Sequence, residues 1–248
     1  KFPSKITPPT NMRARIYTLV SVPVFIILYS FTFVIVLISL FFAILKRKKS
    51  VQHVMHFWAK SVFYLMGKKL TINGMQNIQK GGNYILIANH ASLFDIMAIM
   101  AFYPNVSWFG HERLLRIPVF KQILLMTNYV PMKSATFSNT RLMLDSLIHK
   151  SQTNTIAIFH EGTRTLDGQI NNFYKGFIRL MKASDVNILP VTLNGFYSLK
   201  PKNRFHINFN SKINVIIHKP IERSLLINKS DSEIIESVKE VIQSAIIK

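Results

Sequence analysis

His90 and Asp95 follow directly on the apolar run Tyr84-Ile85-Leu86-Ile87-Ala88, in the stretch Asn89-His90-Ala91-Ser92-Leu93-Phe94-Asp95. Where a buried strand gives way to a helix, an imidazole and a carboxylate so spaced can form a base and its orienting partner. The ring accepts a proton near neutral pH, and the carboxylate fixes the tautomer and stabilises the imidazolium. No serine or cysteine nucleophile motif accompanies the pair, and the chain has no cysteine at all. The expected nucleophile is therefore a substrate hydroxyl activated by His90. The same spacing also arises in proteins without chemistry, so the pair alone leaves a structural role open.

A second group changes the balance. Phe159-His160-Glu161-Gly162-Thr163-Arg164 follows another strand-like run, Thr155-Ile156-Ala157-Ile158. Glycine permits close backbone approach, threonine and arginine donate hydrogen bonds, and a guanidinium can grip a phosphate through two parallel bonds. A general base and an anion clamp, each at a strand exit, describe transfer of a group onto a phosphate-bearing alcohol.

These residues carry a resemblance. Asn89-His90 with Asp95 resembles the NHx4D motif of the glycerolipid acyltransferases, the family of 1-acylglycerol-3-phosphate acyltransferases. Phe159 to Arg164 is similar to that family's F-P-E-G-T-R block. Ile188-Leu189-Pro190-Val191 resembles its late I-x-P-V block, and His111-Glu112-Arg113-Leu114-Leu115-Arg116-Ile117-Pro118 its K-x-E-L-x-x-I-P segment. The blocks occur in the family's order and cover roughly residues 70–200. The resemblance implies catalytic His90 and Asp95, with Glu161, Gly162, Thr163, Arg164 and Lys133 binding substrate. It further implies an acyl thioester donor, acyl-CoA or acyl carrier protein, and a lysophosphatidate-type acceptor. No metal or other cofactor is expected. The sequence departs from the pattern at His160, where the family usually has proline, and at Gly110-His111, where it usually has lysine. Lys133 stands where arginine often ends the second block, and it is a point charge without the bidentate fork.

Composition sets bounds. At 248 residues the chain suffices for one sizeable domain and an anchor. Without cysteine, disulfides, zinc–thiolate sites and thiol catalysis are excluded. The net charge is +20, and every acidic residue lies at or beyond Asp95. Such a balance suits anionic lipid, phosphate substrates and an acidic acyl carrier protein. Compositional drift toward lysine gives the same number. No basic recognition helix or stacking motif points to nucleic acid, which is not expected as a partner.

Residues 1–15 read as a polar tail, with Met12 a candidate start of the natural chain. Residues 16–49 read as a membrane anchor, because Tyr17 to Leu45 carries no charge and a span needs about 20 residues. Basic residues flank it on both sides, more densely at Lys46-Arg47-Lys48-Lys49. That bias favours the inner, cytoplasmic membrane with the catalytic domain on the cytoplasmic side. A re-entrant anchor with both flanks on one side stays open. Residues 50–67 read as an interfacial amphipathic helix with Trp58 at headgroup depth; a helix packed on the catalytic domain is the alternative.

Residues 68–248 form the expected catalytic domain. Strands are expected over 70–73, 84–88, 106–109, 129–132, 155–159, 188–193 and 213–217. Helices are expected over 94–101, 119–125, 138–148, 175–183 and 232–247. This alternation predicts an α/β fold, a largely parallel sheet flanked by helices and preceded by the membrane-embedded segment. The leading function is acyl transfer to lysophosphatidate. The alternatives are another glycerophospholipid or a lipid A-type acceptor, a basic membrane-binding module without activity, and a metal hydrolase built on His90, Asp95 and Glu161.

Overall fold

The structure is a computed structural model that describes residues 12–116, 118–132 and 137–247. Lys133, an expected phosphate-binding residue, lies outside the described residues.

The described residues begin with two helices, α1 (Met12–Ile44) and α2 (Lys48–Leu65). Strands and helices then alternate: β1 (Leu70–Asn73), β2 (Tyr84–Ala88), α3 (Phe94–Phe102), β3 (Val106–His111), α4 (Pro118–Met126), β4 (Val130–Met132), α5 (Phe137–Ser151) and β5 (Thr155–Phe159). After these come α6 (Gly176–Ala183), β6 (Asn187–Asn194), α7 (Phe196–Leu199), β7 (Ile213–Ile217) and α8 (Asp231–Ser244). Among the described residues seven strands make one sheet, in the order β1-β7-β6-β2-β5-β3-β4. Every pairing is parallel except β6–β7. The largely parallel sheet therefore holds for five strands, while β7 and β1 run the other way at one edge.

β2 is the strand that matters for the site. All five of its residues are buried, as expected for a strand with parallel neighbours and both faces covered. Leu86 and Ala88 pack on one side with Phe63 of α2, Ala98 and Ile99 of α3, and Phe196. Ile85 and Ile87 pack on the other with Leu147 of α5, Phe177 and Leu180 of α6, and Ile234, Val238 and Ile242 of α8. α8 is started by a capping box, Ser230 and Glu233 each bonding the other's backbone. Thr192 of β6 donates its hydroxyl to the Ile242 carbonyl at 2.7 Å, fastening α8 to the sheet.

α1 is apolar almost all round, and at 33 residues it spans about 50 Å, more than the roughly 30 Å of a bilayer's hydrocarbon. One stripe is covered: Ser21, Leu28, Ile35, Ser39 and Ala43. Ser21 accepts from the Ile207 N–H at 2.9 Å, and Phe25 packs on Phe205 with ring centroids 5.2 Å apart. At the other end Ala43 packs with Val51 and with Ile123 of α4. Phe33, Leu37 and Phe41 on the remaining face are exposed. α2 turns one face to the domain through Ala59, Val62 and Phe63. Its Trp58 indole N–H donates to the Thr32 hydroxyl of α1 at 3.0 Å.

Candidate active site

β2 and β5 are parallel neighbours with Ala88 opposite Phe159. The residues two further on, His90 and Glu161, therefore leave the sheet side by side at its carboxyl edge, where ligands gather in open α/β sheets. The His90 N–H donates to Glu161 Oε1 at 2.7 Å, and the His90 carbonyl accepts from the Thr165 N–H at 2.9 Å. On the other side Asn89 does the work of one more sheet rung. Its amide accepts from the Leu193 N–H at 2.8 Å and donates to the Leu193 carbonyl at 3.0 Å. The backbone carrying the imidazole is thus pinned to both neighbouring strands.

The imidazole is pinned as well. His90 Nδ1 lies 2.8 Å from Asp95 Oδ2, with the His90 side chain 15% exposed and Asp95 fully buried. The same Oδ2 accepts the N–H groups of Ala91 at 2.6 Å and Ser92 at 2.8 Å. Asp95 sits in the first turn of α3, where the positive end of the helix dipole favours an anion. Burial pushes its carboxyl up from the ordinary value, while the His90 ring and the two backbone bonds pull it down. Two backbone N–H groups already donate to Oδ2, which makes it the acceptor of the His90 contact as well. Nδ1 then carries the proton, and Nε2 keeps its lone pair. Phe159 stacks on the other side of the ring, centroids 4.0 Å apart at 12°, and Trp108 stacks behind Phe159 at 5.6 Å. This stack holds the ring plane.

The expected substrate-binding residues divide. Glu161 is only 2% exposed, and its second oxygen accepts the Asn171 N–H at 2.8 Å. Burial pushes its carboxyl up, and the Asn171 and His90 N–H groups pull it back. Each oxygen accepts one backbone N–H, so Glu161 ties the His90 main chain to the loop at Asn171. Gly162 has φ +62°, and a Cβ there would press on the Tyr174 ring at 3.0 Å. Glycine is what this turn tolerates. Thr163 is exposed. Arg164 is half-buried beside the dyad; burial lowers its pKa and the Asp95 charge raises it. Its guanidinium stays charged and forms no ion pair with a carboxylate among the described residues.

His160, where the resemblance would have proline, points away from this group. It is 3% exposed, wedged against Phe177 at 4.3 Å and Phe173 at 5.2 Å, and neither ring nitrogen has a partner among the described residues. Burial pushes its pKa down to about 3, so it is neutral under all ordinary conditions. Among the described residues no group of three or more His, Cys, Asp or Glu side chains converges on a point that could hold a metal ion.

The sequence profile described as Acyltransferase matches residues 69–194, which includes β2, α3, β5 and the loops that carry the dyad and Arg164. The chain is similar to the chloroplastic 1-acyl-sn-glycerol-3-phosphate acyltransferase LPAT1 of Arabidopsis thaliana, 27% identical over 77% of this chain and 55% of the relative. It is also similar to the 1-acyl-sn-glycerol-3-phosphate acyltransferase of Borreliella burgdorferi, 29% identical over 76% of this chain and 74% of the relative. The chain thus spans little more than half the length of the plant relatives it matches. The crystal structure of the 1-acyl-sn-glycerophosphate acyltransferase PlsC of Thermotoga maritima superposes with a TM-score of 0.80 at 26% identity, over 92% of this chain and 95% of that one. With a profile match over half the chain, covering His90, Asp95 and Arg164, the chain belongs to the Acyltransferase family.

Proposed function

We propose that the protein transfers an acyl group from a thioester, acyl-CoA or acyl carrier protein, to the free hydroxyl of a lysophosphatidate, giving phosphatidate. The observation that carries this reading is the His90 Nδ1–Asp95 Oδ2 contact of 2.8 Å, which leaves Nε2 free as a base. Nε2 takes the hydroxyl proton as that oxygen attacks the thioester carbonyl. The new C–O bond gives a tetrahedral oxyanion, its collapse breaks the C–S bond, and His90 returns the proton to the leaving thiolate. Buried Asp95 stabilises the imidazolium between the two steps. Arg164 faces the acceptor phosphate, and its position beside the dyad brings that phosphate within reach of the base. No cofactor beyond the thioester enters these steps. The names of the relatives support the choice of acceptor.

The anchor belongs to the same proposal. α1 touches the catalytic domain at Ser21 and Phe25 near one end and at Ala43 near the other. A helix crossing the bilayer upright would carry one of these ends to the far side. α1 and α2 therefore lie along the domain and sink it into one leaflet, on the cytoplasmic side by the charge bias. Lipid acceptor then reaches His90 without leaving the membrane.

The test is product identity. Detergent-purified protein is incubated with lysophosphatidate and palmitoyl-CoA, and free thiol and phosphatidate are measured together. Equimolar appearance of both supports the reading. Thiol release that requires a different acceptor, such as glycerol 3-phosphate or a lysophospholipid with a capped phosphate, replaces the acceptor. No acceptor-dependent thiol release with any of them refutes it.

A further inference from the structure

The loop after α7 brings a second set of cations to the seam between the dyad and α1. Ser92, two residues past His90, donates its hydroxyl to the Lys200 carbonyl at 2.7 Å, so the Lys200 backbone is fixed beside the dyad's turn. Gly195 opens this region at φ +79°, where a Cβ would drive into the Lys212 carbonyl. The loop is wrapped around one guanidinium. Arg204 donates to the carbonyls of Ser198, Leu199 and His206. The Arg204 carbonyl in turn accepts from Lys200 Nζ at 3.1 Å, and that ammonium lies 6.0 Å from the centre of the Phe25 ring on α1.

An ammonium has three donors, and among the described residues this one spends a single donor, on the Arg204 carbonyl. Lys200 is half-buried, and burial and the charges of Arg164 and Arg204 lower its pKa. No carboxylate pairs with Arg164, Lys200 or Arg204 among the described residues. Like charges gathered in partial burial repel one another and call for an anion. Arg204 is spent on the loop's carbonyls, which leaves Lys200 and Arg164 with donors to offer.

We propose that Lys200 and Arg164 together hold one substrate phosphate, with Arg204 as the positioning residue that shapes the loop under Lys200. This deepens the acyl-transfer reading and rests on it. Two substrates carry the required chemistry: the acceptor, and coenzyme A with its own phosphates. The acceptor fits the position better, since Lys200 borders Phe25 on the apolar helix that a lipid would follow.

The test is Lys200→Gln, which keeps a donor for the Arg204 carbonyl and removes the charge, with Lys200→Arg as rescue. KM is measured for lysophosphatidate and for acyl-CoA, with Arg164→Ala beside it for comparison. Losing one charge-assisted hydrogen bond raises KM roughly ten- to a hundredfold. A rise confined to lysophosphatidate, reversed by Lys200→Arg and absent with a monoacylglycerol acceptor that lacks phosphate, supports the acceptor as source. A rise confined to acyl-CoA supports the donor. Unchanged KM for both, or an equal loss with the phosphate-free acceptor, overturns the proposal. If the wild-type protein forms no phosphatidate, the functional reading has failed by itself. Glycerol 3-phosphate is then titrated calorimetrically into wild-type protein and Lys200→Gln. Weaker binding by the variant supports the phosphate site, and equal binding or none overturns it.

Discussion

Asp95 Oδ2 receives three donors, one from His90 and two from the backbone of the turn it closes. The carboxylate therefore shapes the loop and selects the imidazole tautomer at once. Asp95→Asn keeps the size and removes the charge that fixes which ring nitrogen is protonated. The expected loss in kcat is about 10²–10⁴, the upper figure being that of a serine-protease triad stripped of its carboxylate. An Asn variant with a normal rate and an unchanged pH–rate profile would contradict the dyad. The proximity of His90, Asp95 and Arg164 was legible in the sequence because they stand in short blocks with strand exits beside them. The role of Glu161 was not. Its partners are the backbone N–H groups of His90 and Asn171, and only the β2–β5 register brings His90 to it. Asn89 stood in the motif but gave no hint that it replaces a sheet rung. Lys200 is one of 31 Lys and Arg residues, and no local pattern distinguishes it from the others.

At the scale of elements, β1, β2, β5 and β7 span the residues expected from the sequence, 70–73, 84–88, 155–159 and 213–217. Lysine or asparagine precedes each of them, at Lys69, Asn83, Asn154 and Lys212, and Gly74, Asn89, His160 and His218 follow. Their order and direction were not legible: parallel alternation says nothing of the β6–β7 reversal, which depends on the long 200–212 loop returning the chain along β6. The β5 exit holds another feature the sequence only half disclosed, the neutral buried His160. Its folded pKa of about 3 lies below the ordinary value of 6.5. Below pH 6.5 the unfolded chain takes up a proton that the folded chain refuses, so stability falls as pH drops through the window from 6.5 toward 3. At pH 5 this costs about 2 kcal/mol relative to neutral pH. His160→Leu removes the proton and the two unpartnered nitrogens. Thermal unfolding in detergent at pH 7.5 and pH 5 is expected to show the variant losing less stability than wild type on acidification, by about that amount. An equal loss in both proteins would mean that His160 is protonated in the fold.

For the whole molecule, the +20 charge and the apolar α1 act over different ranges. Surface attraction to anionic lipid gives about 1 kcal/mol per basic residue and is screened by salt, whereas burial of α1's exposed face in lipid is not. The length of α1 was legible as an uncharged run. Its disposition was not, because it depends on contacts made far away in sequence, such as Ile207 with Ser21. The chain has no cysteine, so single cysteines report cleanly. Arg15→Cys and Lys49→Cys, near the two ends of α1, are expected to react with a membrane-impermeant thiol reagent from the same side of sealed vesicles. Labelling from opposite sides would show that α1 crosses the bilayer.

The proposed acyl transfer depends on His90 acting as the base that turns a lipid hydroxyl into a nucleophile. It is tested most directly by acceptor-dependent thiol release from acyl-CoA by purified His90→Ala, with unfolding temperature and membrane association checked against wild type. The account predicts a roughly 10²–10⁴-fold fall in turnover with both controls unchanged. A well-folded His90→Ala protein that keeps more than about a tenth of wild-type turnover would contradict it.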